Sequence, residues 1–183
     1  MKYLFSVFVV CLLSFSSFGQ SKVITKQNSS AKSGMVALSG KTFGQEELKG
    51  KIVVLNFWYT SCPPCLKEIP ELNKIVAEYQ GKDVVFLGLA TDDVKTLEGF
   101  LKEHPFDYEI IPKATQLMMR FLEPDANGKL ETTFPLHIVV NREGKKTVYE
   151  MGMKGVLAVD RELKRLFQAE EKPKTAVDAK KSN

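Results

Sequence analysis

The amino-acid sequence predicts an α/β fold in which a central mixed sheet is flanked by helices. Short runs of apolar and β-branched residues alternate along the chain with segments whose apolar residues recur at helical spacing. Strands that are apolar along their whole length are typical of a sheet covered on both faces. Near the end of the chain, Asn141-Arg142-Glu143-Gly144 predicts the turn of a hairpin, which adds antiparallel strands to the sheet.

Each element follows from a local pattern. Residues 35–50 predict a short β-hairpin, because Gly40 and Gly44 punctuate them. The apolar runs that predict strands of the sheet are residues 52–57, 83–89, 108–111, 136–140 and 146–150. The segments with helical spacing are residues 63–79, 94–104, 115–122 and 159–169. Pro63 suits the first turn of its helix, whereas Pro70 lies inside that helix and predicts a kink.

The two ends of the chain differ in composition from the segment between them. Residues 1–19 carry one lysine before a mostly apolar run that ends in small residues, so we expect a cleaved signal peptide and export to the periplasm. The alternative is an uncleaved anchor in the inner membrane. Residues 20–33 predict a linker, 34–171 a single domain and 172–183 a disordered, lysine-rich tail.

The net positive charge of the protein comes from the two ends of the chain. The formal net charge is +4, and the lysines of the two ends supply all of it, so residues 20–171 are neutral. No basic face is expected, which argues against a nucleic-acid partner. We expect a monomer.

The cysteines are the candidate functional residues. Of the three in the chain, Cys11 would leave with the signal peptide, and Cys62-Pro63-Pro64-Cys65 would remain in an oxidising compartment. Cys62 follows a predicted buried strand and begins a predicted helix, where unpaired N–H groups and the helix dipole favour a thiolate. Cys65, one turn later, could attack a mixed disulfide formed by Cys62. This placement favours thiol–disulfide exchange.

Other uses of the cysteine pair fit the sequence less well than exchange. Structural zinc needs four ligands, and His104 and His137 lack the usual paired spacing, so no metal is expected. A static disulfide over so short a loop would stabilise little. A copper-binding or metallochaperone module could use both cysteines and His137. A thiol peroxidase needs a threonine three residues before its reactive cysteine, where this chain has Tyr59 and Thr60 is one position off.

The stretch FWYTSCPPCLKEIPEL resembles the active-site segment of the TlpA/ResA branch of thioredoxin-fold oxidoreductases, whose domain is of the redoxin or AhpC/TSA type. ETTFPLHIVVNREGK resembles the second motif of that branch, and residues 85–100 fit its central βα insertion. The resemblance implies a thioredoxin-like fold, with Cys62 as nucleophile and Cys65 as resolving cysteine. It also implies that Phe134 and Pro135 form a cis-proline loop that binds substrate beside the pair.

Some positions depart from that pattern. Ser61 stands where the branch usually has tryptophan, so Trp58 is the nearest indole that could support substrate binding, although core packing also suits it. Asn56 stands where thioredoxin has a buried aspartate, so Asp92 or Glu68 is expected to exchange the proton of the resolving cysteine. His137 replaces a threonine, and we expect a hydrogen-bonded histidine within a strand.

The resemblance also implies a direction for the reaction. A Pro-Pro dipeptide between the cysteines is similar to that of reducing members of the branch. The expected substrates are disulfide-containing envelope proteins, in a role such as cytochrome c biogenesis or antioxidant defence. A membrane thiol reductase would supply electrons, and no cofactor is expected.

Overall fold

A computed structural model of the protein describes residues 34–171. The predicted signal peptide, linker and tail lie outside these residues. The strands are β1 Met35–Val36, β2 Thr42–Phe43, β3 Ile52–Trp58, β4 Val84–Ala90, β5 Glu109–Ile111, β6 Leu136–Val140 and β7 Lys146–Met151. The helices are α1 Gln45–Leu48, α2 Pro63–Glu78, α3 Val94–Phe100, α4 Thr115–Met119 and α5 Gly155–Glu171.

Five strands form one mixed sheet in the order β5-β4-β3-β6-β7, and β1 pairs with β2 in a separate hairpin. The central strand β3 runs parallel to β4 and antiparallel to β6. β5 extends the parallel half, and β7 extends the antiparallel half. The mixed sheet and the N-terminal hairpin agree with the sequence prediction.

The sheet is covered on both faces because its strands carry apolar residues on both sides. Seven consecutive residues of β3 are buried. On one face, α2 and α5 pack over the even-numbered residues of β3, including Ile52 and Val54. On the other face, the hairpin and α4 pack over the odd-numbered residues, including Val53 and Leu55. A third cluster, beside α3, extends the first face around the cysteine pair.

Several helical boundaries differ from the sequence prediction. The turn α1 forms where the pattern predicted only the end of the hairpin, and Glu47 reaches back to the backbone N–H of Gly44. α3 ends at Phe100 rather than at residue 104, in a turn where the His104 ring stacks on Phe100. α5 begins four residues before the predicted start. α2 continues as one helix through Pro70.

Arg142 joins several segments at the end of the sheet farthest from Cys62. Its guanidinium forms an ion pair with Glu170 on the last turns of α5, and it donates a hydrogen bond to the carbonyl of Gly50. It also lies over the ring of Phe167, with the guanidinium carbon 5.8 Å from the ring centroid. The residues around Arg142 thus pack together at one end of the domain, and the cysteine pair lies at the opposite end. Within residues 34–171, no helix is long and apolar enough to cross a membrane.

Candidate active site

The cysteine pair lies where the central strand β3 leads into helix α2 on the first sheet face. β3 ends at Trp58, and Cys62 is the N-cap residue of α2. Pro63 occupies the first helical position, where its missing N–H costs no hydrogen bond. The local sequence therefore places the first cysteine at the carboxyl end of a parallel strand and at the positive end of a helix dipole.

Cys62 and Cys65 form a disulfide, with their Cα atoms 5.3 Å apart. The backbone N–H of Cys65 points at the Cys62 sulfur, with the nitrogen 3.3 Å away. Both residues are nearly covered, with exposed fractions of 1% for Cys62 and 2% for Cys65. A donor N–H of this kind favours negative charge on the first sulfur whenever the disulfide is opened.

The Phe134–Pro135 segment lies against the same cluster. The peptide bond between these residues is cis, and Phe134 packs against the cluster that contains both cysteines. The rings of Phe134 and Tyr59 meet edge to face, with centroids 5.1 Å apart. These two half-buried rings form an aromatic rim beside the disulfide.

Both carboxylate oxygens of Asp92 accept hydrogen bonds from the loop before the cysteines. One carboxylate oxygen accepts a hydrogen bond from the backbone N–H of Thr60 at 2.8 Å, and the other accepts one from its hydroxyl at 3.1 Å. Both oxygens are thus directed at the segment between β3 and the cysteine pair. Asp92 therefore fastens the loop that leads from β3 to α2.

Glu68 lies one helical turn after Cys65 on the buried face of α2, and only 4% of its surface is exposed. Its Oε1 atom accepts a hydrogen bond from the side-chain amide of Asn56 at 3.0 Å. The Nε2 atom of His137 lies 3.1 Å from the same oxygen. The other oxygen, Oε2, has no hydrogen-bond partner among the described residues. Glu68 is thus a buried acid one helical turn from Cys65, with one oxygen that has no hydrogen-bond partner among the described residues.

Tyr108 completes this polar group. Its hydroxyl donates to the side-chain oxygen of Asn56 at 3.4 Å. Burial raises the pKa of Tyr108 well above its ordinary value, and the charge of Glu68 raises it further. The phenol therefore stays protonated and remains a donor. Sequence patterns did not single out Tyr108, because nothing near it in the chain marks it as polar core.

Trp58 lies in the core beside the disulfide. It is 1% exposed, and its ring stacks on Phe106 with centroids 4.5 Å apart. The packing is tight, because a methyl group on Gly88 would lie 3.2 Å from the indole nitrogen. Substrate binding by Trp58 would require the ring to be uncovered. The core packing that its sequence context also suggested is the arrangement observed.

Among residues 34–171, no group of three or more His, Cys, Asp or Glu side chains is arranged to hold a metal ion. His137, expected to be hydrogen-bonded within its strand, is bonded only at Nε2, whereas Nδ1 has no partner among the described residues. The structure thus brings together Cys62, Cys65 and Phe134 in one cluster, with Glu68 one helical turn after Cys65. Asp92 contacts Thr60, in the loop that precedes the cysteine pair.

The sheet order, the helix N-terminus that carries the cysteine pair and the cis-proline segment define a thioredoxin-fold protein with a Cys-Pro-Pro-Cys disulfide. Residues 27–147 match the profile of the AhpC/TSA family. Because this match covers more than half of the sequence, the chain belongs to the AhpC/TSA family.

Curated relatives resemble part of the chain. A thiol-disulfide oxidoreductase ResA from Bacillus cereus is 33% identical over 110 residues, which are 59% of this chain and 59% of the relative. The thioredoxin-like protein YneN of Bacillus subtilis is 31% identical over 88 residues, 44% of this chain and 52% of the relative. The chain thus spans less than two thirds of the length of these relatives.

Solved structures are similar to a larger part of the chain than these relatives are. A thiol:disulfide interchange protein of the thioredoxin family from Chlorobium tepidum TLS superposes with a TM-score of 0.62 at 25% identity, over 73% of this chain and 91% of that one. StoA from Bacillus subtilis superposes with a TM-score of 0.56 at 20% identity, over 70% of this chain and 92% of that one. The predicted thioredoxin-like fold is confirmed.

Proposed function

We propose that the protein is a thiol–disulfide oxidoreductase that uses Cys62 and Cys65 as its redox pair. The observation that carries the proposal is the Cys62–Cys65 disulfide at the N-terminus of α2, where Cys62 is the cap residue. The names of the ResA relatives support the same activity. A helix N-terminus stabilises the thiolate that must attack or leave in disulfide exchange.

The exchange proceeds in two balanced steps. In the reduced protein, the Cys62 thiolate attacks one sulfur of a substrate disulfide, which releases the other substrate sulfur as a thiolate. Cys65 then loses its proton and attacks Cys62, so the Cys62–Cys65 bond forms and the second substrate sulfur leaves as a thiolate. The substrate gains two electrons and the pair loses them. An external thiol reductant must return the pair to its reduced form.

Glu68 is the group that best suits the proton of Cys65. It lies on the same buried face of α2, one turn after Cys65, and residues so spaced are neighbours on a helix surface. Its unpartnered Oε2 can accept a proton. Asp92, the other candidate, already accepts two hydrogen bonds from Thr60. We therefore propose Glu68 as the proton acceptor and Asp92 as a support for the loop.

The substrates would be selected by the surface around the pair. Both cysteines are almost covered, and Tyr59 and Phe134 pack beside them. A substrate could reach the cysteine pair by displacing this aromatic rim or by inserting an extended segment along Phe134 and Pro135, whereas an unrelated thiol could not.

We propose that the protein acts in the periplasm as a monomer. There it would reduce disulfides of specific envelope proteins, in a role such as cytochrome c biogenesis, and a membrane thiol reductase would supply its electrons.

The decisive experiment is a redox titration of the Cys62–Cys65 pair against dithiothreitol and glutathione, with a Cys62→Ser/Cys65→Ser double variant as the control. A reversible two-electron couple that is more reducing than glutathione is the expected result. A strongly oxidising couple would instead assign the protein to disulfide formation. The absence of any reversible couple would overturn the proposal.

Two further measurements separate this proposal from its alternatives. Stoichiometric copper bound tightly by the reduced protein, with no disulfide exchange, would indicate a metal carrier. Rapid consumption of peroxide by Cys62 would indicate a thiol peroxidase. A Cys65→Ser variant should instead accumulate mixed disulfides with envelope proteins, and cell fractionation should recover these adducts from the periplasm.

A further inference from the structure

A fully buried histidine lies behind the cysteine pair, on the first strand after the cis-proline segment. His137 is 0% exposed and follows Pro135 by two residues on β6. Its Nε2 atom lies 3.1 Å from Glu68 Oε1 and 3.1 Å from the side-chain nitrogen of Asn56. The sheet register sets this arrangement, because Asn56 on β3 pairs directly with His137 on β6.

With Glu68 as a carboxylate, the neighbours of His137 Nε2 favour one placement of its hydrogen. The Asn56 nitrogen can only donate, and it donates to Glu68 Oε1. A protonated Nε2 donates to the same oxygen, whereas a bare Nε2 would face the carboxylate with its lone pair. The partners therefore assign a hydrogen to Nε2 of His137. Two N–H donors on one oxygen offset the cost of burying a carboxylate.

The imidazole is held in place by the start of α5. A Cβ atom on Gly155 would lie 1.9 Å from Nδ1 and 2.7 Å from Cε1 of His137. Only a glycine at this position leaves room for the ring. The Nδ1 atom, with no hydrogen-bond partner among the described residues, faces this glycine backbone. His137 is thus fixed by packing on one side and by Glu68 on the other.

Other titratable groups lie on three elements near the imidazole and on the loop before β5. Glu68 comes from α2, and Glu150 is the half-buried cross-strand neighbour of His137 on β7. Tyr108, just before β5, reaches the group through Asn56. Glu162, on α5, is engaged by Arg165. Within residues 34–171, no lysine or arginine forms an ion pair with Glu68, so the neutral donors must stabilise its charge.

We propose that His137 is a positioning residue that keeps Glu68 ionised and oriented toward Cys65. The inference rests on the proposed function, because it concerns the step in which Cys65 resolves the mixed disulfide. In that step the Cys65 proton passes to Glu68, the Cys65–Cys62 bond forms, and the substrate thiolate leaves. The Nε2–H of His137 stabilises the carboxylate before it takes the proton. Loss of this donor favours protonated Glu68, which cannot accept another proton.

The test compares two substitutions of similar size. His137→Gln can place an amide N–H near the position of Nε2, whereas His137→Leu fills the space without a donor. The Cys62 thiol of each reduced protein is reacted with 5,5′-dithiobis(2-nitrobenzoate), and stopped-flow absorbance follows release of the second nitrothiobenzoate by Cys65 between about pH 5 and 9. His137→Leu should slow this release by about 10- to 100-fold near neutral pH, as expected for a lost hydrogen bond to a charged group. Its acid limb should move to higher pH, and His137→Gln should stay near the wild type.

A Glu68→Gln background provides the control, because there His137→Leu should have no further effect on the rate. A purely structural role would lower stability without moving the acid limb. The inference is overturned if His137→Leu releases the thiol at the wild-type rate, or if its acid limb does not move while the wild type resolves normally. If the wild type itself fails to release the second thiol, the proposed function fails instead.

A measurement on the wild-type protein remains available if the variants do not fold. Nitrogen-15 spectra of the His137 ring report directly which nitrogen carries hydrogen. The expected result is hydrogen on Nε2 in both redox states near neutral pH. Hydrogen on Nδ1 with a bare Nε2 would overturn the inference, since no donor would then face Glu68.

Discussion

Replacing Gly155 by alanine tests whether His137 is held as tightly as the structure indicates. The new Cβ would lie 1.9 Å from Nδ1 and 2.7 Å from two ring carbons, well inside van der Waals contact. The ring must therefore retreat or the first turn of α5 must move. Overpacking of this kind costs about 1–3 kcal/mol.

Movement of the ring adds a second cost. The Nε2 atom of His137 lies 3.1 Å from Glu68 Oε1, and losing a hydrogen bond to a charged group costs about 1.5–3 kcal/mol. Alanine regains at most about 1 kcal/mol through its higher helix propensity. We expect Gly155→Ala to lower the free energy of unfolding by about 2–4 kcal/mol, taking the two costs as partly overlapping.

The assay is equilibrium unfolding in urea with the disulfide intact. Gly99→Ala is the matched control, because Gly99 lies inside α3 and its Cβ would meet no atom within 4 Å. This variant should be more stable than the wild type by about 0.5–1 kcal/mol. In a His137→Ala background, Gly155→Ala should destabilise the protein much less, because the imidazole ring that the new Cβ would overlap is absent. Equal stability of the two glycine variants, or strict additivity in the double variant, would refute this reasoning.

Three further predictions concern other parts of the domain. Trp58 is the single tryptophan of the chain and packs in the cluster that contains the disulfide, so reduction should raise its fluorescence by removing a quencher; a variant with serine at both cysteines should show no change. Asp92→Ala removes two hydrogen bonds to Thr60 and should cost about 1–2 kcal/mol of stability. It should leave the pH dependence of disulfide exchange unchanged, and a moved acid limb would instead give Asp92 a role in proton transfer. The hydrogen bond from Arg165 lowers the pKa of Glu162 below its ordinary 4.5, so its stabilisation is complete above that pH and is lost as the pH falls. In urea unfolding, Glu162→Gln should be less stable by about 1 kcal/mol at neutral pH, and this difference should disappear as the pH falls through the folded-state pKa of Glu162; a difference that stays constant into acid would contradict the assignment.

The sequence predicts the strands better than the ends of the helices. β6 has the predicted bounds, because a proline before the apolar run and a polar turn after it mark where the strand begins and ends. α3 is shorter than predicted: the apolar spacing continues through residues 101–104, but these residues form a turn and not helix. α5 is longer than predicted, since Gly155 begins the helix where a glycine would be taken as a linker. Local patterns do not specify where packing ends a helix.

The candidate site was predictable where a single motif contains it. The Cys-Pro-Pro-Cys segment marks both cysteines and the start of α2 by sequence alone. The contact between Glu68 and His137 joins residues that are far apart in the chain, and it depends on the pairing of β3 with β6. The sequence therefore offered Asp92, with Glu68 as its alternative, and could not decide between them. Only the fold shows that one is buried behind the pair and the other fastens a loop.

The Arg142 cluster has a practical consequence for handling the protein. α5 begins beside His137 and ends where Arg142 binds Glu170, so these two ends are separated by about 22 Å at a rise of about 1.5 Å per residue. A chemical linker attached to the outer side of the last turn of α5 would hold the domain to a bead or an electrode with the end that carries the disulfide turned away from the support. Immobilised in this orientation, the protein could capture cysteine-containing ligands from a flowing extract without obstruction by the support.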